Sequence, residues 1–122
     1  MMDFSHKNVL VVGVGISGNA VAKVAKMQGA DKVVLSDAKA EQDLKYDLTD
    51  VRAAGVELVF GPQENTLLDN VDMVILSPAV PVRIPLVQEA YKREIPVVSE
   101  VQVAYELAKS PILAVTGTNG KT

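Results

Sequence analysis

With 122 residues, the chain has room for one domain with a sizeable hydrophobic core and no room for a second. Its hydrophobic fraction of 48% indicates a globular protein, and a net charge of −3 without a Lys/Arg cluster argues against a nucleic-acid partner. The absence of cysteine excludes disulfides and thiolate metal sites. Because no signal-peptide pattern and no long apolar run is present, we expect a soluble cytoplasmic protein with no membrane partner.

Short valine-rich runs alternate with helical patterns, which is typical of a parallel sheet covered by helices on both faces. The predicted strands are residues 8–12, 32–36, 56–60, 73–76, 97–98 and 112–115. The predicted helices are residues 17–28, 43–54, 85–93 and 99–108. We therefore predict an α/β fold with a Rossmann-like, doubly wound parallel sheet of about five strands in residues 1–109. Residues 110–122 are expected to supply the first strand of a following domain.

The first predicted strand and helix are joined by Gly13-Val14-Gly15-Ile16-Ser17-Gly18, a complete GxGxxG motif. In such a motif the first glycine makes a tight turn, the second lets backbone approach a phosphate, and the third lets helix and strand pack closely. Asp37 follows the second strand, where nucleotide-binding sheets commonly keep an acid. The motif alone leaves NAD, another nucleotide and simple helix packing open.

The turn Ser77-Pro78-Ala79 follows the fourth predicted strand. Ligands of doubly wound sheets lie outside the carboxyl ends of the strands, near the point where the strand order reverses. Strands one and four are expected to be neighbours there, so Ser77 and the N–H of Ala79 are expected to face the same ligand as Ser17. Simple chain reversal by a rigid Pro-rich turn is the alternative.

The helix predicted at 99–108 begins with Ser99 and Gln102 in capping-box spacing. Glu100, beside them, is interpreted as a helix-start charge favoured by the helix dipole rather than as a site residue. Met27, near the end of the first helix, is expected to fill the core.

The last residues predict a phosphate-binding loop, because a Gly-rich turn ending in Gly-Lys-Thr follows an apolar run. Its residues are Gly117, Thr118, Asn119, Gly120, Lys121 and Thr122. Lys121 is expected to reach the ATP phosphates and Thr122 to bind Mg²⁺. The strict pattern has glycine where this chain has Val115, so the loop is a compact variant, and a chance Gly-rich turn is the alternative.

These motifs, in this order along the whole chain, resemble the Mur ligases of peptidoglycan synthesis. The Gly-Thr-Asn-Gly-Lys-Thr loop is specific to that superfamily, which includes the folylpolyglutamate synthases, and the Gly-Val-Gly-Ile-Ser-Gly start resembles the D-glutamate-adding branch. The resemblance implies a three-domain ligase that uses ATP and Mg²⁺. Its first domain would hold UDP-N-acetylmuramoyl-L-alanine by the UDP part, its central domain ATP, and its third domain D-glutamate.

The chemistry implied by the resemblance is phosphorylation of the substrate carboxylate to an acyl phosphate, which the D-glutamate amine then attacks. Lys121 and Thr122 are the implied catalytic residues, and this chain alone is expected to be inactive. The implied UDP-binding residues are Gly15, Ile16, Ser17, Asp37, Ala38, Lys39, Ser77, Pro78 and Ala79. Of these, Ile16 and Ser17 would contact the diphosphate region, residues 37–39 the uracil and ribose, and residues 77–79 the other side of the same crevice. Many relatives have glycine where this chain has Ala79.

Two other functions stay open at this point. One is an NAD-dependent oxidoreductase domain, against which the terminal phosphate loop argues, because a dehydrogenase does not need it. The other is a non-catalytic, nucleotide-sensing regulatory module, which would lose most of its support if the gene continues into an ATPase-like domain.

Overall fold

The structure is a computed structural model that describes residues 4–108. Its five strands form one parallel sheet in the order β3-β2-β1-β4-β5. The strands are β1 (Asn8–Val12), β2 (Lys32–Asp37), β3 (Glu57–Phe60), β4 (Met73–Leu76) and β5 (Val97–Ser99). The helices are α1 (Ile16–Met27), α2 (Thr49–Ala53), α3 (Pro85–Lys92) and α4 (Glu100–Ala108). The predicted doubly wound α/β fold is confirmed.

The central strand β1 is buried on both faces because its alternate side chains enter two different cores. Val9 and Val11 pack in the core that includes residues of α1, α2 and α4. Leu10 and Val12 pack in the other core, which includes residues of α3. A strand covered on both faces needs a continuous apolar run rather than an alternating one, which explains why its position was predictable.

The register of the strands brings four loops to one edge of the sheet. Val12 is paired with Ser36 and with Leu76, and Leu76 is paired with Ser99. Because all strands are parallel, the loops that follow β1, β2, β3 and β4 leave the sheet on the same side, where α4 also begins directly after β5. We call this side the carboxyl edge.

The predicted helix at 43–54 is wrong. A 3₁₀ helix at Glu41–Asp43 and the short helix α2 take its place, separated by a non-helical segment. Asp47 accepts a hydrogen bond from the N–H of Thr49 through Oδ1 at 2.9 Å, and such side-chain bonds compete with a continuous helix. Leu44, at the end of the 3₁₀ helix, has an extended backbone (ψ 141°).

The other predicted helices and the five strands of the described region agree with the structure to within one residue at each end. Ser99 caps α4, since its hydroxyl accepts a hydrogen bond from the N–H of Gln102 at 3.0 Å.

Met27 is 82% exposed, so its predicted place in the core is wrong. The strand predicted at 112–115 and the boundary between residues 109 and 110 lie outside the described residues. Within residues 4–108, every helix is too short or too polar to cross a bilayer.

Substitution of Leu10 by alanine tests the two-sided burial of β1. Leu10 is fully buried, so we expect Leu10→Ala to lower the free energy of unfolding by about 2–5 kcal/mol. Val82→Ala, at a side chain that is 55% exposed, is the matched control and should change it by less than about 0.5 kcal/mol. Urea denaturation measures both values, and equal midpoints for the two variants would contradict the assigned core.

Candidate functional site

The predicted site residues of the described region all lie at the carboxyl edge. Gly15 is the N-cap of α1, which begins with Ile16 and Ser17; Asp37 ends β2 and is followed by residues 38–39, and residues 77–79 follow β4. The structure therefore brings together three segments that are far apart in sequence. The predicted phosphate loop, Gly117 to Thr122, lies outside the described residues.

Two of the three motif glycines are required by packing. Gly13 has a positive φ of 107°, and a Cβ there would lie 2.6 Å from the Cβ of Ser77. A Cβ on Gly18 would collide with the backbone carbonyl oxygen of Gly13. Any larger residue at either position would push α1 or the β4 loop away from the glycine loop.

The middle glycine is different, because packing does not require it. Gly15 has an extended backbone (φ 177°), and the nearest group to an added Cβ is the hydroxyl of Tyr46, at 4.0 Å. The packing interpretation of the motif thus explains Gly13 and Gly18 but not Gly15. As the N-cap of α1, Gly15 is at a position that prefers glycine to alanine, and it also leaves the backbone open to a ligand.

The N-terminus of α1 presents backbone N–H groups at this edge. The first helical hydrogen bond runs from the N–H of Asn19 to the carbonyl of Gly15 at 2.8 Å, so the N–H groups of residues 16–18 have no partner within the helix. No side chain caps this end, and the first turn of α1 carries no acidic residue. Free donors and the positive end of the helix dipole are the features that bind phosphate groups.

Asp37 joins the glycine loop to the loop after β2. Its Oδ2 accepts a hydrogen bond from the N–H of Val14, and its Oδ1 accepts one from the N–H of Lys39, both at 2.9 Å. The carboxylate therefore holds two ligand-facing loops in one arrangement. Its predicted contact with uracil or ribose stays a prediction.

The turn after β4 is fixed from both ends. The N–H of Ser77 donates to the carbonyl of Val12 at 3.0 Å, and the carbonyl of Ser77 accepts from Val80 at 2.9 Å. The N–H of Ala79 makes a long hydrogen bond, 3.4 Å, to the hydroxyl of Ser77. The turn thus reverses the chain and also packs on Gly13. This chain reversal does not exclude the predicted contact of Ser77 and Ala79 with a ligand, which stays a prediction.

A cavity of about 200 Å³, here called the β2–β4 cavity, opens between the loops after these two strands. Its lining residues are Val12, Gly13, Asp37, Ala38, Gln63, Ala79, Val80, Pro81 and Ile84. Most of this lining is apolar, with two polar side chains. An apolar cavity with a few polar groups is typical of small-molecule binding sites.

Gln63 is the polar residue of this lining that sequence reasoning missed; the apolar residues Val12, Val80, Pro81 and Ile84 were not predicted as site residues either. Its Nε2 donates to the hydroxyl of the fully buried Ser36 at 2.9 Å. The available signal was the Gly61-Pro62 turn directly after β3, at the carboxyl edge of the sheet. The N–H of Gly61 also donates to the carbonyl of Asp37, at 3.0 Å.

A second cavity, about 320 Å³, lies on the other side of the glycine loop between α1 and α4. This α1–α4 cavity is lined by Ser17, Ala20, Val21, Pro78, Glu100, Val101 and Ala104. A further cavity of about 270 Å³ lies at the opposite edge of the sheet, beside Asn8 and Lys32. We assign no nucleotide to that one, because doubly wound sheets bind ligands at the carboxyl edge.

Glu100 is the buried acid of the α1–α4 cavity. It begins α4, as expected, but it is only 4% exposed, and its Oε2 has no hydrogen-bond partner among residues 4–108. This oxygen lies 3.0 Å from the position of a Cβ on Gly18. Burial raises the pKa of the Glu100 carboxyl above its ordinary range. A charge favoured by the helix dipole does not explain an unpartnered buried oxygen.

Together, the strand order, the glycine loop and the uncapped N-terminus of α1 define a Rossmann-like domain with free backbone donors at its carboxyl edge. Residues 7–99 match the family model described as Mur ligase MurD-like, N-terminal domain. The chain belongs to this family.

Curated relatives agree with this assignment. The chain is 45% identical over its whole length to the UDP-N-acetylmuramoylalanine--D-glutamate ligase of Pelotomaculum thermopropionicum, and it covers 27% of that protein. It is 38% identical over 99% of its length to the protein of the same name from Alkaliphilus metalliredigens, again covering 27%. The chain thus spans about a quarter of the length of the curated relatives it matches.

A solved structure of a related enzyme supports the fold. The UDP-N-acetylmuramate-alanine ligase of Thermotoga maritima superposes on 85% of this chain with a TM-score of 0.65 and 26% sequence identity. The matching region is 23% of that chain.

Alanine substitutions distinguish Gly18, which packing requires, from Gly15, which packing leaves open. We expect Gly18→Ala to lower the free energy of unfolding by at least about 2 kcal/mol, because the new methyl group meets backbone. Gly15→Ala, the matched control, should cost no more than about 1 kcal/mol, the difference between Gly and Ala at an N-cap. Thermal and urea unfolding measure both variants. Equal losses would show that the carbonyl of Gly13 does not restrict position 18.

Glu100→Gln tests the buried acid through pH. Because burial raises the folded-state pKa, the contribution of Glu100 to stability is greatest below the ordinary glutamate pKa of about 4.3 and falls as the pH rises through the raised pKa. Glutamine does not titrate, so the stability of the variant relative to wild type should increase as the pH rises above about 4.3. Urea midpoints at several pH values measure this difference. A difference independent of pH would mean that Glu100 is solvated.

Proposed function

We propose that this chain is the nucleotide-sugar-binding part of an ATP-dependent ligase that adds D-glutamate to UDP-N-acetylmuramoyl-L-alanine in the cytoplasm. The observation that supports this most is the open middle glycine beside the uncapped N-terminus of α1, in a chain of the MurD-like family. That combination offers backbone donors to a diphosphate without a side chain in the way.

The geometry supports one orientation of the ligand. The diphosphate would accept hydrogen bonds from the N–H groups of Ile16 and Ser17 at the start of α1. The uracil would occupy the β2–β4 cavity beside Asp37 and Ala38, with the β4 turn on its other side. Asp37 would then act mainly by holding the Val14 and Lys39 segments in place.

The activity of the whole protein belongs to the same proposal. ATP with Mg²⁺ supplies the phosphoryl group that activates the substrate carboxylate, and the residues proposed for them, Gly117 to Thr122, lie outside the described residues. The part of the chain that the structure describes binds and orients the UDP end of the substrate. Its partners are therefore the nucleotide sugar and the remainder of the ligase, with D-glutamate as the second substrate.

A backbone substitution tests the proposed diphosphate contact. Ile16 is the first residue of α1, a position that accepts proline, so Ile16→Pro removes one N–H donor and preserves the helix. We expect it to weaken UDP-N-acetylmuramoyl-L-alanine binding about tenfold to hundredfold, the value of a hydrogen bond to a charged group. Ile16→Ala removes a side chain that is 82% exposed but keeps the N–H, and it should bind like wild type.

The measurement is calorimetric titration of the chain with UDP-N-acetylmuramoyl-L-alanine, with UDP and with NAD. Saturable binding of the first two, and none of NAD, is the expected result. Binding of NAD alone would overturn the ligase assignment in favour of an oxidoreductase-type domain. Equal affinity of the proline and alanine variants would remove the α1 N-terminus from the site.

A further inference from the structure

We propose that the α1–α4 cavity is a specificity site that binds the acetamido group of the nucleotide sugar, with Glu100 as its hydrogen-bond acceptor. This inference rests on the proposed function, since it extends the same ligand beyond its diphosphate. It assigns a binding role to Glu100, which the sequence indicated only as a charge at the beginning of a helix.

The position of the cavity argues for the sugar as its occupant. The β2–β4 cavity and the α1–α4 cavity flank the glycine loop on opposite sides, and neighbouring residues of the β4 turn, Ala79 and Pro78, line one each. A nucleotide sugar has the order base, ribose, diphosphate, sugar. With the base in the first cavity and the diphosphate on the N-terminus of α1, the next group reaches Ser17 and the second cavity.

The chemistry of the walls argues for an amide that carries a methyl group. Ala20, Val21, Val101 and Ala104 give the cavity apolar walls, which suit a methyl. The side-chain polar groups among its lining residues are the hydroxyl of Ser17 and the carboxyl of Glu100. An acetamido group carries one donor and one acceptor, so its N–H fits Oε2 of Glu100 and its carbonyl fits the hydroxyl of Ser17.

The state of Glu100 provides the second, independent observation. The residue is only 4% exposed, and Oε2 has no hydrogen-bond partner within the described part of the chain. Buried polar atoms in native proteins nearly always have a partner, so the unpartnered oxygen beside the cavity offers an acceptor position that a ligand N–H can fill. A plain hydroxyl would satisfy this oxygen but would leave the apolar walls without a partner.

The test compares the affinities of UDP-N-acetylglucosamine and UDP-glucose, in which a hydroxyl replaces the acetamido group. We expect wild type to bind the first about fivefold to tenfold more tightly, the value of one buried hydrogen bond. Glu100→Ala should reduce this preference to less than about twofold, while Glu100→Gln, which keeps an acceptor oxygen, should retain it. UDP is titrated into every variant as the reference for the rest of the site.

A second variant keeps the test valid if Glu100→Ala fails to fold. Ala104 is exposed, so Ala104→Leu fills the cavity from α4 without overpacking the core, and it should also remove the preference. Ala53→Leu, at an exposed alanine of α2, is the matched control and should keep it. UDP affinity should stay within about twofold of wild type in all of these variants, because none changes the α1 N–H groups.

The outcomes separate this inference from the proposed function. If UDP does not bind to wild type, the proposed function fails and this inference with it. If UDP binds but wild type shows no preference, or the preference persists in Glu100→Ala or Ala104→Leu, only the acetamido site is overturned. Loss of the preference in the Ala53→Leu control would also overturn it, since the cavity would then not be its cause.

Discussion

The contact between Gly18 and the carbonyl of Gly13 is the constraint on which the rest of the site depends. Because no side chain separates them, α1 begins directly on the loop that leaves β1, and its free N–H groups lie at the carboxyl edge. The same loop packs on Ser77, which fixes the β4 turn at close range. Each of the two cavities is lined in part by this glycine motif, one by Gly13 and the other by Ser17.

Asp37 extends this arrangement to the third segment. Its two carboxylate oxygens bind backbone of the glycine loop and of its own loop, so the segments after β1 and β2 are held together by one side chain. Such backbone contacts arrange the site before any ligand arrives, which reduces the entropy lost on binding. This role is compatible with a ligand contact, since a carboxylate oxygen accepts more than one hydrogen bond.

The sheet was predictable because strands that are buried on both faces have continuous apolar sequences. The loop after β1 was predictable because the motif glycines identify it. The segment at 43–54 was not, because the local bond of Asp47 outweighs helical spacing. Gln63 and Glu100 were missed for a different reason. Their surroundings come from chain segments that meet only when α1 packs on α4, or when the β3 loop returns to β2. The contacts of the site residues with a ligand stay predictions.

The openness at Gly15 has a consequence for how such domains diverge. Selection for folding acts on Gly13 and Gly18, whose substitution disturbs backbone packing, but it places little restriction on Gly15. A modest N-cap preference and the room needed by whatever approaches the loop are the two constraints that favour a glycine there. A duplicated copy of this domain that keeps its fold but is released from ligand binding should therefore drift first at the middle glycine. The state of that one position would then distinguish a working copy from a purely structural one.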